Sequence, residues 1–500
     1  MNRFIAGIWM VISMLGFSVA SFSEKVFDFN TSCQLAYQEI IQLKLNAGQR
    51  IIDQEKIAHP DNLIPFLLEN YIDFFTLLFN EDPEQFREKR SMLDKRIIMM
   101  NEGPQTSPFY LFSKSIIYFQ WAAVRMKFGY NWDAGWQFRR SFLLIRENRE
   151  KFPGFAPALF YNGAMKVAAD AIPDSYRWLT SALGVKADRK LGFEEIEEFL
   201  SMQDESAALF KTEALFYYLF LRFYMNNERQ EVFDYISSNQ LDMRNNHLFA
   251  FLAVSLNINN QQSENALKII NEITLSPDYL QTPVWDLEMG YALLNRLDDQ
   301  APVYLERFLK QFKGDFYVKD ALQKLGWYYY LKGDSLKAEY YRGESLKKGE
   351  LSSDADKLAQ HDALKGKWPN KLLLQARMLN DGGYYREALE LLQGKRAIDF
   401  LLPDDKLEFL YRVARLYDDT GRQEEAIVFY KQVITTGEQR KEHYAARSAI
   451  QLGNIYEKRG EVTSAVYWFN RCLDMKDHYF KTSLDQRAKS GLARLGAAKN

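Results

Sequence analysis

Apolar residues recur every three to four positions through most of this 500-residue chain, with polar residues filling the intervals. That period gathers the apolar side chains onto one face of a helix. After about residue 30 no convincing run of alternating apolar and polar residues, which would mark strands, interrupts it. The stretch LGNIYEKRGEVTSAVYWFN (452–470) is the clearest case: a helix, a glycine turn and a second helix. The pattern predicts an all-α chain built from antiparallel helix pairs joined by short turns.

The same grammar repeats in register. Gly333, Gly383, Gly421 and Gly460 each follow a helical stretch, and each is followed five residues later by Ala338, Ala388, Ala426 and Ala465. Four residues before each glycine stands a large side chain: Tyr329, Leu379, Tyr417 and Tyr456. Three before that stands a small one: Gly326, Ala376, Ala414 and Gly453. Small residues let paired helices approach closely and the large one fills the wedge between them. The glycine takes the turn's positive φ without a Cβ clash. These sixteen positions are therefore expected to be packing residues.

Over about 316–475 these residues resemble the tetratricopeptide repeat (TPR) family, whose period is about 34 residues. The spacings here are longer, 50, 38 and 39 residues, and the longest holds a polar insert, LSSDADKLAQHDALKGKWPN (351–370). The resemblance implies a TPR-like α-solenoid, a superhelix of antiparallel helix pairs. Degenerate units continue upstream at 285–312 (with Gly290 in the small position), 246–273 (Ala253 and Ala266) and 211–238, and a further helix pair spans 107–155. Between 162 and 200 the rhythm breaks: Pro173 interrupts a helical run, and Gly184 and Gly192 bracket the charged loop VKADRK. This stretch faintly resembles part of a group of eukaryotic TPR proteins and similar bacterial chains. The expected organisation is a helical-repeat region over 24–160, an irregular connector over 161–205, degenerate repeats over 206–315 and clear repeats over 316–500.

The N-terminus reads differently. Arg3 precedes an uncharged run from Phe4 to Ser23, and the small residues Ser18, Ala20, Ser21 and Ser23 fit a signal-peptidase site. A signal peptide over 1–23 and export, to a bacterial periplasm, are expected. The alternative is an uncleaved anchor over residues 4–23, since the run approaches the ~20 residues that span a bilayer. Cys33 and Cys472 are too few for a disulfide framework and are expected as lone buried thiols.

Charge removes one class of function. Lys and Arg number 64 against 66 Asp and Glu, for a net charge of −2, and no dense basic block stands out, so nucleic-acid binding is not expected. The five histidines (His59, His247, His361, His443 and His478) lack metal-ligand spacing and fall near expected helix ends, as solvated or capping residues. No phosphate loop, dinucleotide fingerprint or nucleophile elbow occurs, so no cofactor, metal or catalytic residue is expected. Carboxylate pairs at Glu194-Glu195, Glu197-Glu198, Asp404-Asp405 and Asp418-Asp419 leave an α/α-barrel carbohydrate-active enzyme as a minor alternative. Helix starts and solvated faces account for them more simply.

In TPR arrays the first helix of each pair lines the concave surface, and the resemblance carries that role onto particular residues. They are Asp320, Gln323, Trp327, Tyr330 and Leu331; then Asn370, Leu373, Arg377, Asn380 and Asp381. The next two repeats supply Glu408, Tyr411, Arg415, Asp418 and Asp419, then Arg447, Ile450, Asn454, Glu457 and Lys458. Mixed Arg, Asn, Asp and aromatic side chains suit a protein or peptide partner, while the Lys/Asn pattern of the TPR carboxylate clamp is missing. The aromatic stretches GWYYYLKGDSLKAEYY (326–341) and YNWDAGWQF (130–138) suggest a second possibility, glycan stacking as in SusD-type proteins, although helix packing also accounts for most of them. The expected function is a non-enzymatic scaffold; membrane contact is expected only if the signal segment stays uncleaved.

Overall fold

A computed structural model of the chain describes residues 24–170, 187–226, 228–351 and 353–497. The expected signal segment and the part of the connector holding Pro173 and Gly184 lie outside the described residues. Among the described residues the regular elements are helices, with one isolated bridge between Val26 and Asn62. Helices adjacent in sequence pack as pairs, and the fold is an all-α solenoid. The chain forms two compact units, one of residues 24–78, 85–221 and 278–280, the other of residues 79–84, 222–277 and 281 onward.

In the first unit α1 (Thr31–Ile41) pairs with α2 (Leu45–Ala58), followed by α3 (Ile64–Asn80), α4 (Pro83–Lys89) and α5 (Met92–Met100). Then α6 (Phe109–Lys127) pairs with α7 (Asn131–Lys151), α8 (Pro157–Asp170) with α9 (Arg189–Ser201), and α10 (Glu205–Leu221) closes the set. The α8–α9 crossing is close because neither partner carries a side chain there: a Cβ on Gly163 would stand 2.5 Å from the Gly192 carbonyl oxygen. Gly192 is thus a packing residue within a helix. The core is aromatic, with Tyr37, Tyr71, Phe112, Trp121, Tyr161 and Phe210 fully buried.

A carboxyl sits inside that core. Tyr37 donates to Glu213 Oε2 at 2.5 Å, Tyr71 to the same oxygen at 3.2 Å, and Tyr161 to Oε1. Burial pushes the Glu213 carboxyl up to about 7 against the pull of the three hydroxyls. In the unfolded chain it titrates near 4.5, so between those values the folded state holds a proton that the unfolded state has released.

In the second unit a π-helical turn (Arg222–Asn226) leads to α11 (Arg229–Ser238). The pairs α12 (His247–Asn259) with α13 (Ser263–Glu272) and α14 (Val284–Asn295) with α15 (Ala301–Gln311) follow. Next come α16 (Val318–Lys332) with α17 (Ser335–Lys347), a single helix α18 (Asp354–Lys365), and α19 (Lys371–Gly382) with α20 (Tyr385–Leu392). The last are α21 (Pro403–Asp419) with α22 (Gln423–Gly437), α23 (Tyr444–Lys458) with α24 (Val462–Asp474), and α25 (Lys481–Arg494).

Gly333, Gly383, Gly421 and Gly460 have φ of 83°, 88°, 78° and 73° at the turns within four of these pairs. Ala338, Ala388, Ala426 and Ala465 are fully buried, as are the small positions Gly326, Ala376, Ala414 and Gly453 opposite them. The approach is closest at α23: a Cβ on Gly453 would lie 2.5 Å from the Phe469 ring, and one on Gly491 of α25 would lie 2.4 Å from it. At the wedge positions Leu379 is buried, while Tyr329, Tyr417 and Tyr456 are half-buried. Tyr329 stacks on Tyr341 at 5.5 Å, and Tyr417 lies against Phe429 with Arg422 over its face at 4.3 Å.

The polar insert forms α18, and its polarity has a use. Asp356 is fully buried and accepts from the backbone N–H groups of Tyr317 (3.0 Å) and Asp320 (3.2 Å), at the positive end of α16. The same helix reaches the segment before α25. His361 meets the Tyr479 ring at 4.4 Å, and Ser483 Oγ lies 3.3 Å from Asp354 Oδ2.

Two outcomes follow from this packing. Gly453→Ala should lower stability by about 1–3 kcal/mol through overpacking, and Gly421→Ala, which meets open space, by about 1–2 kcal/mol through backbone strain alone. Denaturant midpoints check both, and a neutral Gly453→Ala contradicts the close approach. For Glu213, stability should fall as pH rises from about 4.5 to 7. Glu213→Gln should flatten that slope in urea midpoints taken across the window, and an unchanged slope would contradict the assignment.

Candidate functional site

The wall positions of α16 are packed rather than open. Asp320 is buried, accepts from the Tyr291 hydroxyl at 2.5 Å and pairs with Lys324 at 2.8 Å. Gln323 donates to Asp362 of α18 at 3.0 Å. Trp327 is only 6% exposed, with Lys324 and Arg377 over its ring at 5.3 and 4.8 Å. Tyr330 stacks on Trp368 at 4.8 Å, with Lys371 over it at 4.8 Å, and Leu331 packs against the core. The expectation of exposed aromatic anchors on this helix is therefore corrected: Trp368 of the polar insert stacks on Tyr330, Arg377 of α19 lies over Trp327, and Asp362 of α18 takes Gln323.

On α19 and α21 the expected wall residues meet one another. Arg415 Nη1 pairs with Asp381 at 2.9 Å, and Arg377 lies 3.6 Å from the same carboxylate. Asn380 and Gln261 both donate to Asp419 Oδ2, at 2.7 and 2.8 Å, and Arg415 approaches Asp419 at 3.6 Å. These bonds tie α19, α21 and the α12–α13 turn into one polar lattice. Burial raises Asp381, but Arg415, Arg377 and Arg412 outweigh it and hold the carboxyl below its ordinary value. Burial and the neighbouring Asp419 push Asp418 up to about 6, while Tyr430 donates to it at 3.2 Å. Leu373 is buried in the core beneath, and Asn370 caps α19 by accepting from Leu372 and Leu373.

Glu408 pairs with Arg412 at 2.7 Å, a residue outside the expected set. Arg412 is 4% exposed, and its guanidinium lies 5.6 and 5.9 Å from the rings of Tyr411 and Tyr444. Tyr411 is itself buried, against Tyr444 at 5.1 Å, so it belongs to the wall and not to an open anchor.

On α23, Ile450 is buried, Asn454 donates to Gln451 at 3.3 Å, and Lys458 is exposed. Glu457 is engaged by Arg494 at 2.7 and 2.6 Å. Arg447 differs. Among the described residues it has no ion-pair partner, and its buried Nε finds no acceptor. Arg487 of α25, exposed and also without an ion-pair partner among the described residues, is pulled below its ordinary value by desolvation among its neighbours and by the Arg447 charge, with Tyr411 and Asp354 opposing. Burial, then Arg447, Arg377, Arg412 and Lys365, push His443 well below its ordinary value, so this imidazole is neutral at pH 7. It packs on Tyr444 and Phe480 at 4.6 and 5.2 Å, and it is not the solvated histidine that the sequence suggests. His247, 3% exposed and bonded to the Thr274 carbonyl at 3.0 Å, is not one either.

Three residues of this wall, Arg412, His443 and Arg487, escaped the sequence reading. Arg412 falls one position beside Tyr411, His443 precedes the first expected position of its repeat by four residues, and Arg487 lies on a helix that has no partner in the repeat register.

The remaining chemistry is committed elsewhere. Glu195, expected on a solvated face, is buried against Arg149 (2.5 Å), Lys166 (2.8 Å) and Asn162 (2.7 Å). Asp404 pairs with Arg440 at 2.5 Å in the first turn of α21. Cys33 and Cys472 are free and buried, and burial pushes both thiols up to about 12. Among the described residues no group of three or more His, Cys, Asp or Glu side chains is placed to hold a metal ion. A surface depression of about 270 Å³, lined by residues including Glu264, Lys268, Met289, Arg296 and Tyr304, falls below the ~300–1,000 Å³ usual for small-molecule sites.

No protein-family model matches the chain, and no curated protein matches it. The class of protein is therefore defined by its fold, an all-α helical-repeat solenoid.

The Arg412–Glu408 pair makes a prediction of its own. Glu408→Gln leaves a buried guanidinium without its nearest counter-charge and should cost about 3 kcal/mol. Urea unfolding measures this, and a change below about 0.5 kcal/mol, the scale of an exposed pair, contradicts the burial.

Proposed function

We propose that this chain is an exported, non-enzymatic scaffold of divergent TPR type that binds a protein or peptide partner along the inner wall of the repeats from α19 to α25. The observation that carries the reading is the continuity of that wall. Arg377, Asp381, Arg412, Arg415 and Arg447 come from three successive first helices, and ion pairs and hydrogen bonds hold the lattice between the first two. A preorganised strip of charged and aromatic groups gives an extended partner several anchors at small ordering cost. A shallow depression and carboxylates already bonded to Arg, Lys, Asn or Tyr favour binding over hydrolysis. Export to a bacterial periplasm rests on residues 1–23, with an anchor over 4–23 as the alternative.

A glycan-binding reading of SusD type keeps one supporting observation. Trp132 and Trp136, four residues apart on α7, are 61% and 53% exposed, whereas the aromatics of 326–341 stack on partners within the fold.

Affinity capture from a bacterial envelope extract separates the two. The scaffold reading predicts a stoichiometric protein partner that survives Trp132→Ala/Trp136→Ala. Retardation on polysaccharide gels that Trp132→Ala/Trp136→Ala abolishes, without a protein partner, contradicts it.

A further inference from the structure

The inner wall holds two guanidiniums that its own ion pairs leave unused. Asp381 is shared between Arg377 and Arg415, Glu408 is taken by Arg412, and Asp419 is taken by Asn380, Gln261 and Arg415. Beyond these, Arg447 and Arg487 add two guanidiniums with no ion-pair partner among the described residues. Asp354, already bonded to Ser483 and paired with Lys357, offsets part of the Arg487 charge.

Arg447 and Arg487 stand on α23 and α25, which pack on the same Phe469 ring and are tied by the Glu457–Arg494 pair. Two like charges on helices so placed, one with a buried N–H that finds no acceptor, cost free energy in the isolated protein. An arriving carboxylate removes both costs at once, and the planar guanidinium fork matches a carboxylate with two parallel hydrogen bonds. Tyr411, Tyr444 and Phe480 supply apolar ring surface beside the cations. The cations come from α19, α21, α23 and α25, and a segment that carries several carboxylates can engage more than one of them at once.

We propose that Arg447 and Arg487, flanked by the Arg377–Arg412–Arg415 lattice, form the docking site for an extended acidic peptide segment rich in Glu and Asp. This rests on the protein-binding reading above and specifies the partner's chemistry. Arg447 and Arg487 make the direct contacts. The paired arginines set the field, and a neutral His443 lines the floor.

The test titrates the full chain with a fluorescein-labelled twelve-residue Glu/Asp-rich peptide and follows anisotropy. A Gln/Asn-rich peptide of the same length and a twelve-nucleotide single-stranded DNA serve as comparisons. The expected result is saturable binding of the acidic peptide alone, weakened about tenfold by each of Arg447→Ala and Arg487→Ala and weakened further by raising salt. Arg487→Ala should leave the melting temperature unchanged or higher, because it removes a repulsion, so lost binding cannot be put down to unfolding. Equal binding of the DNA or the Gln/Asn peptide, or undiminished acidic-peptide binding by the double variant, overturns the proposal. If the double variant still captures the envelope partner, the docking site is wrong and the scaffold reading stands. If the wild type captures no protein, the scaffold reading itself fails.

Discussion

Close approach at glycine positions is the constraint on which the rest depends. Where Gly453 and Gly491 face the Phe469 ring, and where Gly163 meets Gly192, no Cβ fits. Helices that approach so closely have their crossing fixed, by main-chain contact at Gly163 and Gly192 and by the ring seated on two glycine backbones at Gly453 and Gly491, which leaves little freedom for the next pair. A wall side chain on one first helix then falls at a set distance from its counterpart on the next. The 2.9 Å contact of Arg415 with Asp381 and the 2.7 Å bond of Asn380 to Asp419 need that placement. The alanines after each turn work the same way, since a fully buried Ala338, Ala388, Ala426 or Ala465 leaves no room for a larger neighbour.

The consequence for function is a division of labour within each first helix. One face supplies small residues and wedges for packing, and the other presents charge. The polar face has spent most of its charge on itself, in pairs that lock successive repeats. What those pairs do not use, chiefly the guanidiniums of Arg447 and Arg487, is what the proposed partner would engage. An inner wall of this kind is rigid where it is paired and receptive where it is not.

Much of the fold was legible because its determinants are local. Helical period, turn glycines and the alanines five residues on are all written within a forty-residue window, and the structure places them at turns and at buried crossings. The proposed binding face was legible only in part. Arg377, Asp381 and Arg415 follow from repeat register, yet Gln323 is taken by Asp362 of α18 and Tyr330 by Trp368, both in a stretch that the register treats as an insert. Burial by a non-repeating element depends on tertiary contact, which no periodicity reports. Arg487 and Glu213 were hidden for the same reason: their neighbours come from helices distant in sequence, and a buried glutamate looks like any solvated one until the three tyrosines around it are seen.

The account turns on α18 closing against the segment before α25, because that contact brings Arg487 and Asp354 to the wall that Arg447 occupies. Cysteines placed at Asp354 and Ser483, joined by a short bis-maleimide in the folded protein, measure it directly, since Cys33 and Cys472 are buried. The structure predicts rapid, near-complete intramolecular cross-linking that leaves the melting temperature unchanged or raised. Failure to cross-link under native conditions, with both cysteines reactive towards a monofunctional maleimide, would contradict it.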